Sequence, residues 1–184
     1  NYDEQLGDFT MKDDVLALFR KVQPHICYHV GAVVDPDWAR KNPLETVKVN
    51  VMGTANIAYA CLIHKTLLNH VSTCCIYGNT LVYPTKEDAP KKPTEIYGYT
   101  KLTAENIVEG FASTYDLHFN IARPSTVIGE GMRPALAAYI FLDKSRRNEP
   151  LPIHGTGKQT RDFIYISDLI DGLIKLASVQ TNEA

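Results

Sequence analysis

The chain has 184 residues, 45% of them hydrophobic, with 19 basic against 21 acidic side chains and a formal charge of −2. That length supports one ordinary core with no compositional shift to mark a second, and that charge excludes a long-range pull toward nucleic acid or anionic membrane. No apolar run approaches a membrane span, the opening Asn1-Tyr2-Asp3-Glu4 has no signal-peptide character, and Cys27, Cys61, Cys74 and Cys75 lack metal-ligand spacing. The cysteines are therefore expected to be reduced, buried thiols in a cytoplasmic protein with no metal site.

Helical periodicity runs from Asp13 to Val22 and Pro24 stops it. Ile26 to Val30 reads as a short buried strand ending at Gly31-Ala32, followed by a loop carrying Asp35-Pro36-Asp37-Trp38. A helix is expected from Asn42 as cap, with Pro43 and Glu45 in its first turn, through Leu62. Gly53 in its middle costs helix stability, which points to a close backbone approach by a neighbour. His70 to Gly78 reads as a second strand, and a proline- and lysine-rich loop from Tyr83 to Glu95 follows, with Lys86, Lys91 and Lys92 on a solvated surface. After the next helix come a strand from His118 to Arg123, the segment Pro124 to Gly129, a helix from Ala135 to Arg146, an extended Leu151 to His154, and a turn at Gly155-Thr156-Gly157. Phe163 to Ile166 is expected as a strand, with Ser167 capping a last helix from Asp168 to Ala177. This alternation predicts parallel β-α-β units, whose ligands sit beyond the carboxyl ends of the strands.

The helix that opens Ile96-Tyr97-Gly98-Tyr99-Thr100-Lys101 carries the chemistry. Tyr97 and Lys101 are four apart and share a helical face that continues through Ala104, Val108, Phe111, Ala112 and Tyr115, so the lysine points inward. A buried ammonium needs a partner or a use. A tyrosine one turn away supplies the use, because the charge favours its phenolate and makes it an acid or base nearer neutral pH. On spacing alone, the pattern equally fits a lysine snorkelling past the core rim and a tyrosine that merely packs.

Several blocks together resemble the extended short-chain dehydrogenase/reductase family, specifically its NAD-dependent sugar-nucleotide epimerases and dehydratases. They are Gly7-Asp8, Pro24 to Ala32, Asn50-Val51-Met52-Gly53-Thr54, Ser72-Thr73 with Tyr77-Gly78, Tyr97 with Lys101, and Gly155-x-Gly157 through Arg161-Asp162-Phe163-Ile164-Tyr165-Ile166-x-Asp168. The resemblance implies an α/β fold with a Rossmann-like, doubly wound parallel sheet, lacking its first β-α-β unit and carrying part of a small substrate-binding portion. Residues 1–130 are expected as an N-terminally incomplete NAD-binding domain. Residues 131–184 are expected as part of the substrate-binding portion plus a returning strand and helix. The family's glycine-rich pyrophosphate loop, and the second strand that separates NAD from NADP, have no counterpart here. The chain is therefore expected to be a piece of a longer protein that holds a dinucleotide poorly by itself.

The resemblance also implies roles. Tyr97, Thr73 and Lys101 would be catalytic. Asp8, Gly31, Ala32, Asn50, Ser72, Tyr97 and Lys101 would contact NAD, and Thr73, Thr126 and Arg161 the sugar nucleotide, with Arg161 on the diphosphate. The residue types leave Asn50 open as a satisfied helix residue, Asp8 as a turn residue, and Arg161 as a surface salt bridge with Asp162 or Asp168. Where the family's 4,6-dehydratases carry an acid pair after the threonine, this chain has Cys74 and Cys75, which speaks against elimination. Thr126 to Ala137, with Arg133-Pro134, resembles the UDP-glucose and UDP-glucuronate 4-epimerases, whereas Arg123-Pro124-Ser125 also resembles reductases. The expectation is an NAD-dependent UDP-sugar 4-epimerase working through a 4-keto sugar, as a homodimer. An NADP-dependent reductase, a dehydratase and a non-catalytic binding homologue remain as alternatives.

Overall fold

A computed structural model describes residues 3–80 and 82–179. Asn1 and Tyr2, at the start of the segment read for signal-peptide character, lie outside them. The chain divides into two compact units, one of residues 1–123 and 173–184, the other of residues 124–172.

The first unit is built on three parallel strands, β1 (Ile26–His29), β2 (Leu67–Val71) and β3 (Phe119–Ala122), in that spatial order. The register pairs Cys27 with Leu68, His29 with His70, Leu68 with Phe119 and His70 with Ile121. Those side chains therefore share one face of the sheet. The core forms there, from Val15 and Phe19 of helix α1 (Lys12–Val22), Ile57, Ala58, Ala60 and Cys61 of α4 (Gly53–His64), Val108 of α5 (Ile96–Tyr115), and Leu68, Leu117, Phe119 and Ile121. On the opposite face Asn69 and Asn120 are buried, and the Asn120 amide donates to Asn69 Oδ1 and to the carbonyls of Leu176 and Val179, each at 3.0 Å. Elements thus cover both faces, as the doubly wound expectation requires.

In the first unit four expectations need correction. The Asp35 segment is not a loop: Pro36–Lys41 is a short helix, α2, with Asp35 Oδ1 accepting from the Trp38 amide at 2.9 Å and proline at the first turn. The single helix expected from Asn42 is three pieces, namely α3 (Pro43–Val47), a π-helical turn (Lys48–Met52) and α4. Asn42 stands at the expected boundary, but its side chain donates back to the Trp38 carbonyl at the end of α2 and does not cap α3. What approaches Gly53 is not backbone but the ring of Phe9, whose edge occupies the space a Cβ would take.

The fourth concerns β2, which ends at Val71 instead of running to Gly78. Thr73 Oγ1 accepts from the Cys75 amide at 3.2 Å and starts a 3₁₀ turn over Cys74–Tyr77, a local bond that competes with the sheet ladder. Gly78 closes the turn at φ +62°, where a Cβ would overlap the Lys92 carbonyl oxygen.

The second unit holds a two-stranded parallel sheet, β4 (Thr126–Ile128) with β5 (Phe163–Tyr165), and helix α6 (Ala137–Arg146). Leu151 to His154 has no regular structure. Helix α7 spans Ile166–Ala177, so Ser167 lies inside its first turn and is not its cap. Among the described residues no helix is long and apolar enough to cross a membrane.

Replacing Gly78 by alanine forces a positive φ on an L-residue and drives its Cβ into backbone that cannot swing aside. G78A is expected to lose more than about 2 kcal/mol, read as a lower urea midpoint at unchanged slope.

Candidate active site

The site is assembled by α5. Its first turn packs on the 3₁₀ turn that follows β2, and its body on α4. Tyr97, the second residue of α5, is buried; Lys101, one turn on, is 2% exposed. The inward lysine is thus confirmed and snorkelling is not. The expected apolar stripe is buried through Val108, Phe111 and Ala112 pack half-buried against the same core, and Tyr115 at its end is 61% exposed.

What the stripe omits is Glu105, the next residue down from Lys101 on the same face and fully buried. Arg123 Nε donates to Glu105 Oε1 at 3.0 Å and Nη2 to Oε2 at 2.9 Å, a two-pronged pairing. Arg123 Nη1 reaches the Tyr77 hydroxyl at 3.0 Å and the Glu87 carbonyl at 3.2 Å. Lys91 is no solvated surface residue: its ammonium lies 3.4 Å from Glu105 Oε2 and 3.8 Å from Glu109 Oε1, which ties the proline-rich loop to α5. Lys-x-x-x-Glu at helical spacing was the available signal for Glu105.

Burial pushes the Lys101 ammonium down to about 8, against the pull of Glu105. On its other side, Nζ lies 3.4 Å from Nε2 of buried His70, which stacks on His29 with ring centroids 5.4 Å apart. Burial and the Lys101 charge hold His29 down near 4 and His70 well below the ordinary histidine value, so both rings are neutral at physiological pH.

Asn50 is buried in the π-helical turn. Its Oδ1 accepts from the Val33 amide at 2.7 Å, and its Nδ2 donates to the Val33 carbonyl and to Thr100 Oγ1, both at 3.0 Å. Thr100 Oγ1 in turn donates to the Tyr97 carbonyl at 2.8 Å. The amide is fully engaged by protein, so Asn50 clamps the loop after β1 to the first turn of α5.

Thr73 and Ser72 are buried directly beyond β2, and Gly31 and half-buried Ala32 follow β1 on the same side of the sheet. Ser72 Oγ has no hydrogen-bond partner, an orphan a bound polar group could satisfy. Cys74 and Cys75 are exposed, contrary to the buried expectation, whereas Cys27 is half-buried against the core and Cys61 is buried within it. Asp8 is an exposed turn residue whose Oδ1 accepts from the Thr10 amide at 2.9 Å. In the second unit, half-buried Thr126 opens β4 with its amide on the Asp162 carbonyl. Arg161 there is exposed, with Nη1 on the Thr160 carbonyl at 2.8 Å and no ion pair to Asp162 or Asp168.

A buried tyrosine and lysine on one helical face, beside a capped hydroxyl and an orphan serine at strand ends, suit proton transfer next to a bound dinucleotide. Residues 4–183 match the family model described as the NAD dependent epimerase/dehydratase family. The chain belongs to that family. This family member is 31% identical over 178 residues to the probable UDP-glucuronate 4-epimerase of Rhizobium meliloti, covering 94% of this chain and 52% of that protein. It is also 31% identical over 177 residues to the dTDP-D-glucose 4,6-dehydratase of Bos taurus, covering 95% of this chain and 49% of that protein. The crystal structure of UDP-glucuronic acid 4-epimerase from Bacillus cereus with UDP-glucuronic acid and NAD superposes with a TM-score of 0.84 at 30% identity, over 92% of this chain and 55% of that one. The chain spans about half the length of these relatives.

Lys101 titrates lower folded than unfolded, so its buried charge destabilises the fold below about pH 8, and the penalty fades as pH rises from there toward the unfolded value of 10.5. K101M in the whole protein is accordingly expected to have a higher urea midpoint than wild type at neutral pH, with the gap closing as pH rises above 8. A constant gap would show that the charge carries no such penalty.

Proposed function

We propose that the whole protein is an NAD-dependent epimerase that inverts C4 of a UDP-sugar through a transient 4-keto sugar, with Tyr97 as acid and base. The family's cofactor is NAD, and the residues suited to it are Gly31, Ala32 and Ser72 at the strand ends together with Tyr97 and Lys101. The orphaned Ser72 Oγ supports that fit. When bound, NAD supplies the acceptor, and later the donor, of the C4 hydride.

In this reading the Tyr97 phenolate removes the proton of the sugar 4-hydroxyl, and the Lys101 ammonium favours that phenolate. Thr73, whose oxygen already accepts from the Cys75 amide, has its own O–H left to donate to the same sugar oxygen. Asn50 and Thr100 fix the turn that carries Tyr97. Returning the proton and hydride after the keto sugar has turned over completes the inversion. Thr126 and Arg161 are the proposed sugar-nucleotide contacts, with Arg161 on the diphosphate, and a homodimer in the cytoplasm is part of the same proposal.

One observation carries the choice of epimerase over dehydratase. Elimination needs a carboxylic acid and a base beside the sugar, and the two positions after Thr73 are Cys74 and Cys75. The reductase alternative rests on the segment Arg123-Pro124-Ser125, in which Arg123 bonds Glu105 and Tyr77. A proton NMR time course of the whole protein with UDP-glucose and, separately, UDP-glucuronate is expected to show the galacto isomer growing in from one of them. A 4-keto-6-deoxy product would replace this reading with the dehydratase. Y97F is expected to lose about a thousandfold in rate; full activity in that variant would remove Tyr97 from the reaction.

A further inference from the structure

Lys101 has an acceptor problem that the proposed reaction does not address. An ammonium has three donors and no acceptor, and Glu105, the nearest carboxylate on its helix, is already bonded by Arg123 at both oxygens and by Lys91 at one. The acceptor within hydrogen-bond reach of Nζ is His70 Nε2, at 3.4 Å. We propose that His70 is a positioning residue of this site: its ring accepts a hydrogen bond from Lys101 at Nε2, aiming and retaining the ammonium on the Tyr97 face.

The tautomers follow from the neighbouring bonds. Thr54 Oγ1 spends its one proton on the Asn50 carbonyl at 2.7 Å, so at 3.0 Å from His29 Nε2 it accepts, and His29 carries its proton on Nε2. His70 must present a lone pair at Nε2 to a charged lysine, which leaves its proton on Nδ1, an atom without a partner. A second proton on His70 would set two cations against each other in a buried site, so Lys101 and His70 hold one exchangeable charge between them. The groups around this pair are His29 from β1, against His70, and Tyr97 and Glu105 from α5, with Arg123 from the end of β3 and Lys91 from the proline-rich loop paired to Glu105. The arrangement predicts that loss of the acceptor lets Lys101 surrender its proton at lower pH.

The hydrogen bond stands on geometry alone; its effect on rate rests on the proposed role of Tyr97 and Lys101. Nitrogen-15 spectra of histidine-labelled whole protein, with His70 assigned through H70Q, are expected to show a ring that is neutral and Nδ1-protonated at neutral pH and stays so through the ordinary histidine midpoint. A proton on Nε2, or ordinary titration near the free histidine value, would overturn the hydrogen bond whether or not the protein turns over a UDP-sugar. In kinetics, H70L is expected to lower kcat about tenfold with KM unchanged and to move the alkaline limb of the kcat profile down by about one pH unit. H70Q, whose amide oxygen still accepts, is expected to restore that limb. An unmoved limb in H70L, or equal losses in both variants, would reduce His70 to packing.

Discussion

A lysine ammonium 2% exposed is the constraint on which the first unit depends. Unpaired, it would cost several kcal/mol or surrender its proton. Glu105 balances it from one turn below, and a second buried charge then needs its own partner. Arg123 supplies that partner from the end of β3, and Lys91 from the loop that precedes α5. The chain of compensation therefore draws β3, α5 and the proline-rich loop together around one cation. Tyr77 completes it, with its hydroxyl on Arg123 and its ring 5.7 Å from the guanidinium carbon.

The neutral side of Lys101 is built differently. Two histidines, a threonine and an asparagine from β1, β2, α4 and the π-helical turn form a continuous polar seam beneath the strand ends. The π turn is what brings Asn50 inside, since one wider turn re-aims a side chain that a regular helix would place elsewhere. From there its amide joins the backbone of Val33 to Thr100 and so to the Tyr97 turn. Tyr97 is positioned by its helix, and the helix start by an amide from another element.

The alternation of elements and the Tyr97–Lys101 face were legible in the sequence because each has a period that one chain segment displays by itself. The boundaries that failed are those set by side-chain bonds to backbone. Thr73 ends β2 by accepting from Cys75, and Asp35 turns an apparent loop into a helix by accepting from Trp38. The pairing of Glu105 with Lys91 and Arg123 is not legible for another reason. A charged residue in a helix or loop reads as solvated until its partner is known, and Arg123 lies 18 residues from Glu105. Gly53 signalled a close approach correctly, yet nothing local says that the visitor is the ring of Phe9, 44 residues away.

Whole-chain likeness cannot choose the reaction, since an epimerase and a dehydratase stand at the same 31% identity to this chain. The two chemistries share the oxidation of C4, and with it the demands placed on a tyrosine, a lysine and a strand-end hydroxyl. They part only where a dehydratase must deliver a proton to a leaving hydroxyl and take one from the neighbouring carbon. By the family resemblance that work falls to the residues that follow Thr73, here in the 3₁₀ turn. Cys74 and Cys75 are exposed there, and a thiol is a weaker acid than the carboxylic acid that protonation of a departing hydroxyl calls for. The proposed inversion asks for nothing from those two positions, so it is the reaction this turn leaves unimpeded.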